Sequence, residues 1–326
     1  MPFANTVFAT TRPQLVEAAH QLLWDGLAVN TRAAYSTGTN SFLELMRSAN
    51  ITDPLPASPS HVAIWMAALH SRGIKYNTIR VYLFGLRSTH KDLALDSSID
   101  KSALVERTYR GIKRTQGIAN TTKKRFAVTF AVLRKLDAHL NASNPYHRLI
   151  RAAAWIATAG LFRIGELTVD RSKSPNSIRT LTMASLRSLQ SDPPVLAIHL
   201  KASKTDVFRK EVDVKIANKA AIAHLQTYLN RRSTARTASD PLFAKEDGKP
   251  LERAELLTAI RTLISAANVD TADTEGFSFR RGGATSLEAA HVSDRMIKTV
   301  GRWESAAYIR YIDTPIQHFI DASADL

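Results

Sequence analysis

The sequence predicts a mainly α-helical protein of two domains, an all-α first domain and an α+β second domain with one small antiparallel sheet. Three observations predict this fold class. Apolar residues recur at helical spacing from residue 13 to residue 113, without convincing strand-like alternation. A polar, basic segment at residues 113–126 then interrupts the pattern. One later stretch alternates on either side of a polar turn, as the two strands of a β-hairpin do.

The first domain is predicted to span residues 1–112 and to consist of short amphipathic helices. Thr31 is a candidate N-cap of the second helix, Ser58 or Ser60 is one for the third, and Gly73 ends that third helix. The helical segments are PQLVEAAHQLLWDGL (13–27), TRAAYSTGTNSFLELMRSA (31–49), HVAIWMAALHSRG (61–73), YNTIRVYLFGLRSTHKDLAL (76–95) and SALVERTYRGIKR (102–114).

Residues 113–126 are predicted to be an inter-domain linker, because the segment is polar, contains glycine and is basic at both ends. Its two basic clusters also fit a bipartite nuclear-import signal. A linker that lies against phosphates explains the same residues, and one segment can serve both roles.

The second domain is predicted to span residues 127–326. Its strands are VLAIHLKA (195–202) and KEVDVKI (210–216), which form the hairpin. Its helical segments are HRLIRAAAWIATAGLF (147–162), AAIAHLQTYLNRRS (220–233), RAELLTAIRTLISAANV (253–269), GGATSLEAAHV (282–292) and DRMIKTVGRW (294–303).

The charge indicates what kind of molecule the protein meets. The chain has 44 Lys and Arg residues against 29 Asp and Glu, a net charge of +15, and a pI near 10.1. Residues 1–126 hold 16 basic and 8 acidic residues, so both halves carry the excess. Such a field favours a polyanion, most simply double-stranded DNA or another nucleic acid. The alternative is a soluble protein that is merely basic.

Composition also excludes several kinds of site. With no cysteine, the chain has no disulfide, no thiolate zinc site and no cysteine nucleophile. No apolar run is long enough for a membrane span, and the first residues lack the pattern of a secretory signal. We therefore expect an intracellular protein without a membrane partner, located in the nucleus if the host is eukaryotic.

Four clusters in the second half place a phosphate ligand or a nucleophile near the end of a predicted element. Arg163 follows an apolar helix and has Glu166 three residues later, which is either an anion site with an orienting acid or an ordinary helix-surface ion pair. Lys204 lies at the hairpin tip, where lysines are also common without any function. Arg280 and Arg281 follow Phe277-Ser-Phe and precede two glycines that permit close helix packing.

The fourth cluster is GRWESAAYIRYID. Trp303 carries an indole N–H donor, and Tyr308 and Tyr311 follow it three residues apart on one predicted helix face. Ordinary core packing is the alternative role for both tyrosines.

The order of these residues resembles the signature of the tyrosine recombinase (phage-integrase) superfamily. The matching residues are Arg163, Lys204, Phe277-Ser-Phe-Arg280, Trp303 and Tyr311. The motifs SFRRGGAT, GRW and AYIRYI are most similar to those of the Crypton and DIRS-like recombinases of eukaryotic mobile elements. The resemblance covers nearly the whole chain. It implies a SAM-like helical core-binding domain, a catalytic domain of the recombinase type, and a homo-tetramer on paired DNA sites.

The resemblance also implies roles for the residues that match the signature. Tyr311 is the nucleophile that forms a 3′-phosphotyrosine, and Arg163 and Arg280 bind the scissile phosphate. Lys204 protonates the leaving 5′-oxygen, Trp303 donates to the phosphate or packs the site, and Glu166 orients Arg163. No metal or other cofactor is implied. Candidates for contacts to DNA outside the site are Arg80, Arg87, Lys113, Arg114, Lys123, Lys124, Arg125 and Arg281, the last of which helix packing explains equally well.

One position departs from the family pattern. Phe277 stands where the family has a histidine, and a phenyl ring can neither donate a hydrogen bond nor transfer a proton. Three explanations stay open: an enzyme that works without the imidazole, a slowed enzyme, or a copy that binds DNA without cutting it. A nicking-closing enzyme of the type IB topoisomerase kind is a further alternative. Tyr311 is preferred to Tyr308 because it lies eight residues after Trp303, a spacing common in the branch resembled.

Overall fold

The computed structural model describes residues 6–96, 98–119, 124–170, 181–201, 211–232, 237–271 and 274–312. The chain divides into two compact units, residues 1–122 and 123–326. The division falls inside the segment predicted as a linker. Each unit has a hydrophobic core of its own.

The described part of the first unit is helical, as predicted. Its core is built around the edge-to-face pair of Phe42 and Trp65, whose ring centroids are 5.6 Å apart. The helices are α1 (Val7–Thr11), α2 (Pro13–Asp25), α3 (Val29–Ser48), α4 (Pro59–Ser71), α5 (Tyr76–Asp92) and α6 (Ala103–Ala119).

The predicted caps of this unit have mixed outcomes. Ser58, one of the two predicted candidates, caps α4 by accepting a hydrogen bond from the His61 backbone N–H. The Thr31 cap was wrong, because α3 begins two residues earlier at Val29 and has Ala28 at the cap position.

Helix α6 continues through residues 113–119, the first half of the predicted linker. The reason is a buried amide that the local sequence pattern does not show. Gln116 accepts a hydrogen bond from the Tyr76 N–H at 2.7 Å and donates to the Ile74 carbonyl at 2.8 Å. These bonds hold the last turns of α6 against the rest of the unit.

The second unit combines helices with two small sheets. The predicted hairpin is confirmed: β3 and β4 pair antiparallel, with Leu200 opposite Val212. The tip between them, residues 202–210 with Lys204, lies outside the described residues. The elements are β1 (Lys124–Ala127), α7 (Phe130–Asp137), α8 (Pro145–Ala159), α9 (Ile164–Leu167), β2 (Leu186–Ser191), β3 (Pro194–Leu200), β4 (Val212–Ile216), α10 (Lys219–Asn230), α11 (Arg253–Ala266), β5 (Thr274–Ser278), α12 (Phe279–Ala289) and α13 (Asp294–Gly301).

Two features of the sheets were not predicted. Strand β2 extends the hairpin to three strands in the order β2-β3-β4, although its sequence LRSLQS lacks clean alternation. Strands β1 and β5 form a separate parallel pair, with Phe126 opposite Phe277. A pairing between segments about 150 residues apart leaves no local pattern in the sequence.

Helix α8 forms the centre of the second core. Nine of its residues are buried, from Leu149 to Thr158, and α7, α10 and α12 pack around it. Among the helices that the structure describes, none has the length and apolar character needed to cross a membrane.

Candidate active site

Helix α12 places Arg280 by close backbone packing. Ser278 caps the helix by accepting a hydrogen bond from the Arg281 N–H at 3.1 Å. A Cβ at Gly282 would overlap the Val128 carbonyl, and one at Gly283 would overlap the Thr158 carbonyl. The two glycines therefore let α12 lie directly against the end of β1 and against α8, as the sequence predicts.

Arg280 is almost completely buried, with 3% of its surface exposed. Its Nη1 donates to the Leu161 carbonyl at 3.0 Å, and its Nη2 donates to the Gly301 carbonyl. The guanidinium lies 4.2 Å from the ring centroid of Trp303 and 5.8 Å from that of Tyr311. Two carbonyls and two aromatic faces thus hold this cation without a direct carboxylate contact among the described residues.

Arg163 and Glu166 form a close pair at the start of α9. The Arg163 backbone N–H donates to Glu166 Oε2 at 2.9 Å, and its Nη1 donates to Oε1 at 3.0 Å. The Glu166 side chain is 7% exposed, whereas that of Arg163 is 30% exposed. The pair is therefore not a free ion pair on a helix surface, because its acid is buried and its arginine reaches solvent.

Arg302 contributes a third guanidinium, and this residue was not among the predicted site residues. Its Nη2 donates to Glu166 Oε2 and to the Leu161 carbonyl, both at 3.1 Å. Its guanidinium carbon lies 5.1 Å from the Phe162 ring centroid, and its side chain is 13% exposed. The only sequence signal was a basic residue directly before Trp303, which neither periodicity nor spacing distinguishes from a surface arginine.

The three guanidiniums influence one another electrostatically. Burial, followed by the charges of Arg163 and Arg302, lowers the pKa of Arg280 to about 9. Burial also lowers the pKa of Arg302, and Glu166 opposes that change. Among the residues that the structure describes, Glu166 is the one carboxylate paired with these cations. The cluster therefore carries an excess of positive charge suited to an anion such as phosphate.

The two candidate tyrosines lie on a 3-10 helix, Ala306–Tyr311, rather than on the predicted α-helix. Both rings are near Trp303, with centroid distances of 6.2 Å for Tyr308 and 5.3 Å for Tyr311. Residues three apart lie above one another in a 3-10 helix, which explains why the two rings share one side.

The surroundings of the two tyrosines differ. Tyr308 is buried, and a hydrogen bond with Asp294 raises its pKa to about 12. Lys298 Nζ lies 5.5 Å from the centre of its ring. Tyr311 is only partly buried and faces the guanidinium of Arg280. The geometry favours Tyr311 as the reacting group and Tyr308 as a packing residue.

Arg281 supports the backbone of this 3-10 helix. It is 9% exposed, and its Nη1 donates to the Arg310 carbonyl at 2.8 Å. Thr285 Oγ1 lies 3.5 Å from the Tyr311 carbonyl oxygen. These contacts favour the packing role of Arg281 over a phosphate contact.

Phe277 belongs to the core of the second unit. Its ring lies edge to face with Phe126 at 6.4 Å, and the guanidinium of Arg261 lies 5.8 Å from its centroid. The position that holds histidine in the family is thus occupied here by an apolar packing residue.

The predicted DNA-contact residues fall into three groups. Arg80, Lys113, Arg114 and Arg125 are exposed. Arg87 instead pairs with carboxylates inside the first unit, at 3.2 Å from both Asp100 and Glu106, which favours a structural role. Lys123 and Lys204 lie outside the described residues, and only the backbone of Lys124 is described.

A cleft of about 430 Å³ in the first unit gathers two of the exposed cations, Arg80 and Lys113, with Tyr76, Asn77 and Tyr109. The guanidinium of Arg80 lies 5.2 Å from the Phe84 ring centroid. Within the described ranges, no three His, Asp or Glu side chains converge in a way that could hold a metal ion.

Known proteins share this fold and part of this sequence. Residues 176–314 match the model of the phage integrase family, a range that includes Lys204, Arg280, Trp303 and Tyr311 but not Arg163. No curated protein matches the sequence.

Three solved structures resemble most of the chain. The XerH site-specific recombinase bound to palindromic difH substrate has 18% identity and a TM-score of 0.63, over 90% of this chain and 78% of that one. The Tn1549 transposon integrase in complex with transposon right end DNA has 13% identity and a TM-score of 0.58, over 94% and 98%. A lambda integrase tetramer bound to a Holliday junction has 12% identity and a TM-score of 0.58, over 91% and 76%.

The matched domain and the shared fold agree with the arginine, tryptophan and tyrosine cluster described above. The chain carries a phage integrase family domain at residues 176–314, and it shares its fold with solved recombinase and integrase structures.

Proposed function

We propose that Tyr311 attacks the scissile phosphate of DNA and forms a 3′-phosphotyrosine. The phenol oxygen forms a bond to phosphorus and gives up its proton to solvent water, while the bond to the 5′-oxygen breaks and Lys204 protonates that oxygen. Arg163 and Arg280 bind the non-bridging oxygens and stabilise the charge of the transition state. Trp303 packs against Arg280 and keeps its guanidinium in place. A 5′-hydroxyl from a second duplex then attacks the phosphotyrosine and releases Tyr311.

One observation carries this proposal: a cation-rich cluster lies directly beside a partly exposed tyrosine. Arg280 is buried against the rings of Trp303 and Tyr311, with Arg163 and Arg302 close enough to lower its pKa. A phosphodiester supplies the negative charge that this cluster lacks. The bond energy is retained in the phosphotyrosine ester, so rejoining requires no energy source other than the ester itself.

The rest of the DNA interface consists of phosphate contacts from both units. Arg80, Lys113, Arg114 and Arg125 are exposed and meet the duplex backbone in this proposal, together with Lys123 and Lys124. Because such contacts release counterions, affinity should fall steeply as salt rises. The net charge of +15 supports this expectation.

The biological setting is also part of the proposal. The Tn1549 integrase is a transposon protein. The sequence around Arg280 and Tyr311 resembles that of Crypton and DIRS-like recombinases. Both similarities support a mobile-element role. The lambda integrase structure is a tetramer on a Holliday junction, which supports a homo-tetramer on paired sites. The protein would then act inside the cell, and in the nucleus of a eukaryotic host.

A second candidate function rests on Phe277. Loss of a general acid–base group typically costs ~10²–10⁴-fold in rate, so the chain could bind DNA with little or no cleavage. Relaxation of supercoiled plasmid without recombinant products would instead identify a nicking-closing enzyme of the type IB topoisomerase kind. We favour cleavage because Tyr311, Arg163, Arg280 and Trp303 meet in one site.

Covalent trapping separates these functions. Nicked suicide duplexes from the ends of the source element lose the attacking 5′-hydroxyl after cleavage, so the adduct accumulates and is counted on a denaturing gel. The native protein should form an adduct in EDTA, Tyr311→Phe should form none, and Tyr308→Phe should keep it.

The remaining outcomes each decide against part of the proposal. An adduct that survives in Tyr311→Phe would rule out this nucleophile. An adduct seen only in Phe277→His would identify the native chain as a DNA-binding protein with a disabled site.

A further inference from the structure

Arg302 has an unusual backbone conformation. Its φ and ψ angles are 57° and 47°, the left-handed region that glycine adopts without strain and that other residues rarely enter. It caps the C-terminus of α13 there, between Gly301, which accepts from Arg280, and Trp303, which stacks on Arg280. Glycine is the residue that such a helix end ordinarily favours.

The side chain of Arg302 is also costly to bury. Its Nε and Nη1 are enclosed, and neither has a hydrogen-bond acceptor within the described portion of the chain. An arginine that combines backbone strain with buried, unsatisfied donors needs a compensating role, and both features commonly concentrate at functional sites.

The contacts of Arg302 indicate that role. Its Nη2 binds Glu166 Oε2, the same oxygen that accepts from the Arg163 backbone N–H. The same Nη2 also binds the Leu161 carbonyl, which accepts from Arg280 Nη1. Arg302 is thus the one side chain in the described cluster that touches the anchors of both Arg163 and Arg280.

We propose that Arg302 is a positioning residue, which fixes Glu166 and the Leu161 carbonyl and thereby sets the spacing of the two phosphate-binding arginines. Its donors are enclosed by protein, so it acts through these anchors and not by touching DNA. This inference rests on the proposed cleavage function. Misplacing catalytic groups by about 1 Å can cost ~10²-fold in rate, so the expected effect is large.

Three variants separate positioning from folding. Arg302→Gly removes the side chain and suits the left-handed backbone, so its unfolding midpoint should stay near that of the native protein. Arg302→Lys keeps one charge, but its ammonium group sits on a flexible stem without the rigid planar geometry of the guanidinium, so it should recover only part of the rate. Arg295→Gln, on the exposed face of α13, is the control for loss of one positive charge.

The first readout is single-turnover adduct formation at saturating suicide duplex, with DNA affinity measured separately. Arg302→Gly should slow cleavage about 10²-fold with DNA affinity within about threefold of native, and Arg295→Gln should stay within twofold. In the Glu166→Gln background, Arg302→Gly should reduce the cleavage rate little further, since both changes disrupt the same interaction between Arg302 and Glu166. Multiplicative losses, or a native cleavage rate in Arg302→Gly, would overturn the proposal.

The second readout does not need cleavage. In ¹⁵N NMR of the folded protein, the Arg163 Nε–H signal should become mobile in Arg302→Gly and stay ordered in Arg295→Gln. An ordered Arg163 signal in Arg302→Gly would contradict the positioning role. Absence of any adduct from the native protein, with this NMR change present, would instead reject the cleavage function and keep the structural link.

Discussion

Two arginines, the partly buried Arg87 and the buried Arg280, show how the same kind of side chain serves structure or function. Arg87 on α5 pairs with the carboxylates of Asp100 and Glu106 at 3.2 Å and also donates to the Ile99 carbonyl. Arg280 on α12 meets two carbonyls and the faces of Trp303 and Tyr311. The charge of Arg87 is balanced within its fold, whereas that of Arg280 is reinforced by Arg163 and Arg302.

This difference shows which arginines are available to bind an external anion. A cation that is paired with acids of its own unit is part of the scaffold, and removing it leaves the negative charges of those acids without compensation. A buried cation held by carbonyls and aromatic rings keeps its charge available for a ligand. Both arginines were predicted from the sequence to contact DNA, and only their three-dimensional surroundings distinguish them.

The largest expected effect is on cleavage by Arg280→Lys. A lysine keeps the charge but has no fork to span two carbonyls and a phosphate oxygen. Adduct formation should fall about 10²–10³-fold, as loss of a transition-state donor does. Single-turnover trapping measures the rate, and circular dichroism confirms folding. A rate within tenfold of native would place the scissile phosphate elsewhere.

The second prediction concerns how Arg280 is positioned. Gly282→Ala forces a methyl group into the Val128 carbonyl, so α12 must shift and the protein should lose about 3 kcal/mol of unfolding free energy. Cleavage should fall with it, because Arg280 moves with the helix.

The control for that prediction is Gly111→Ala in α6, where a Cβ meets no atom within 4 Å. It should raise the unfolding free energy by about 0.5–1 kcal/mol, since alanine is the better helix former. Urea denaturation of both variants tests the contrast, and equal stability of the two would show that α12 tolerates the shift.

The third prediction tests the structural arginine. Arg87→Met should leave Asp100 and Glu106 without their cation and lower the unfolding free energy by about 2 kcal/mol. Adduct formation by the folded fraction should stay within about threefold of native. Arg80→Met, an exposed change on the same helix, should change stability little and weaken DNA binding. A large loss of cleavage in stable Arg87→Met protein would assign Arg87 to the DNA interface instead.

The smallest effect extends the comparison to the two tyrosines. The hydrogen bond with Asp294 raises the pKa of Tyr308 to about 12, above the ordinary value of about 10. The Tyr308 phenol therefore ionises at a lower pH in the unfolded chain than in the folded protein. The stability that its hydrogen bond contributes is complete below pH 10 and is lost as pH rises towards 12. Thermal melts from pH 9 to 11.5 should decline less steeply in Tyr308→Phe. Identical slopes would show that Asp294 does not hold this phenol.

Local patterns predicted much of the fold. Helical spacing predicted the first unit, and alternation predicted the β3–β4 hairpin. The β1–β5 pair and the extension of α6 to Ala119 depend on contacts between distant segments, such as Gln116 with Ile74, and therefore left no local signal.

The candidate site was predictable to a similar degree. Motif order brought Arg163, Glu166, Arg280, Trp303 and Tyr311 to attention, and the structure places them together. Arg302 was missed because its role depends on a left-handed backbone and on burial, neither of which a single sequence displays. The ion pairs of Arg87 also left no local signal, because its acids lie 13 and 19 residues further along the chain.

The most direct test of the account is to identify the residue that carries the DNA. After trapping, nuclease treatment and trypsin digestion, mass spectrometry can separate the two tyrosines, because cleavage after Arg302 and Arg310 puts Tyr308 in WESAAYIR and Tyr311 in the next peptide. We expect a nucleotide on the peptide that begins at Tyr311. A nucleotide on WESAAYIR, or on any other peptide, would contradict it.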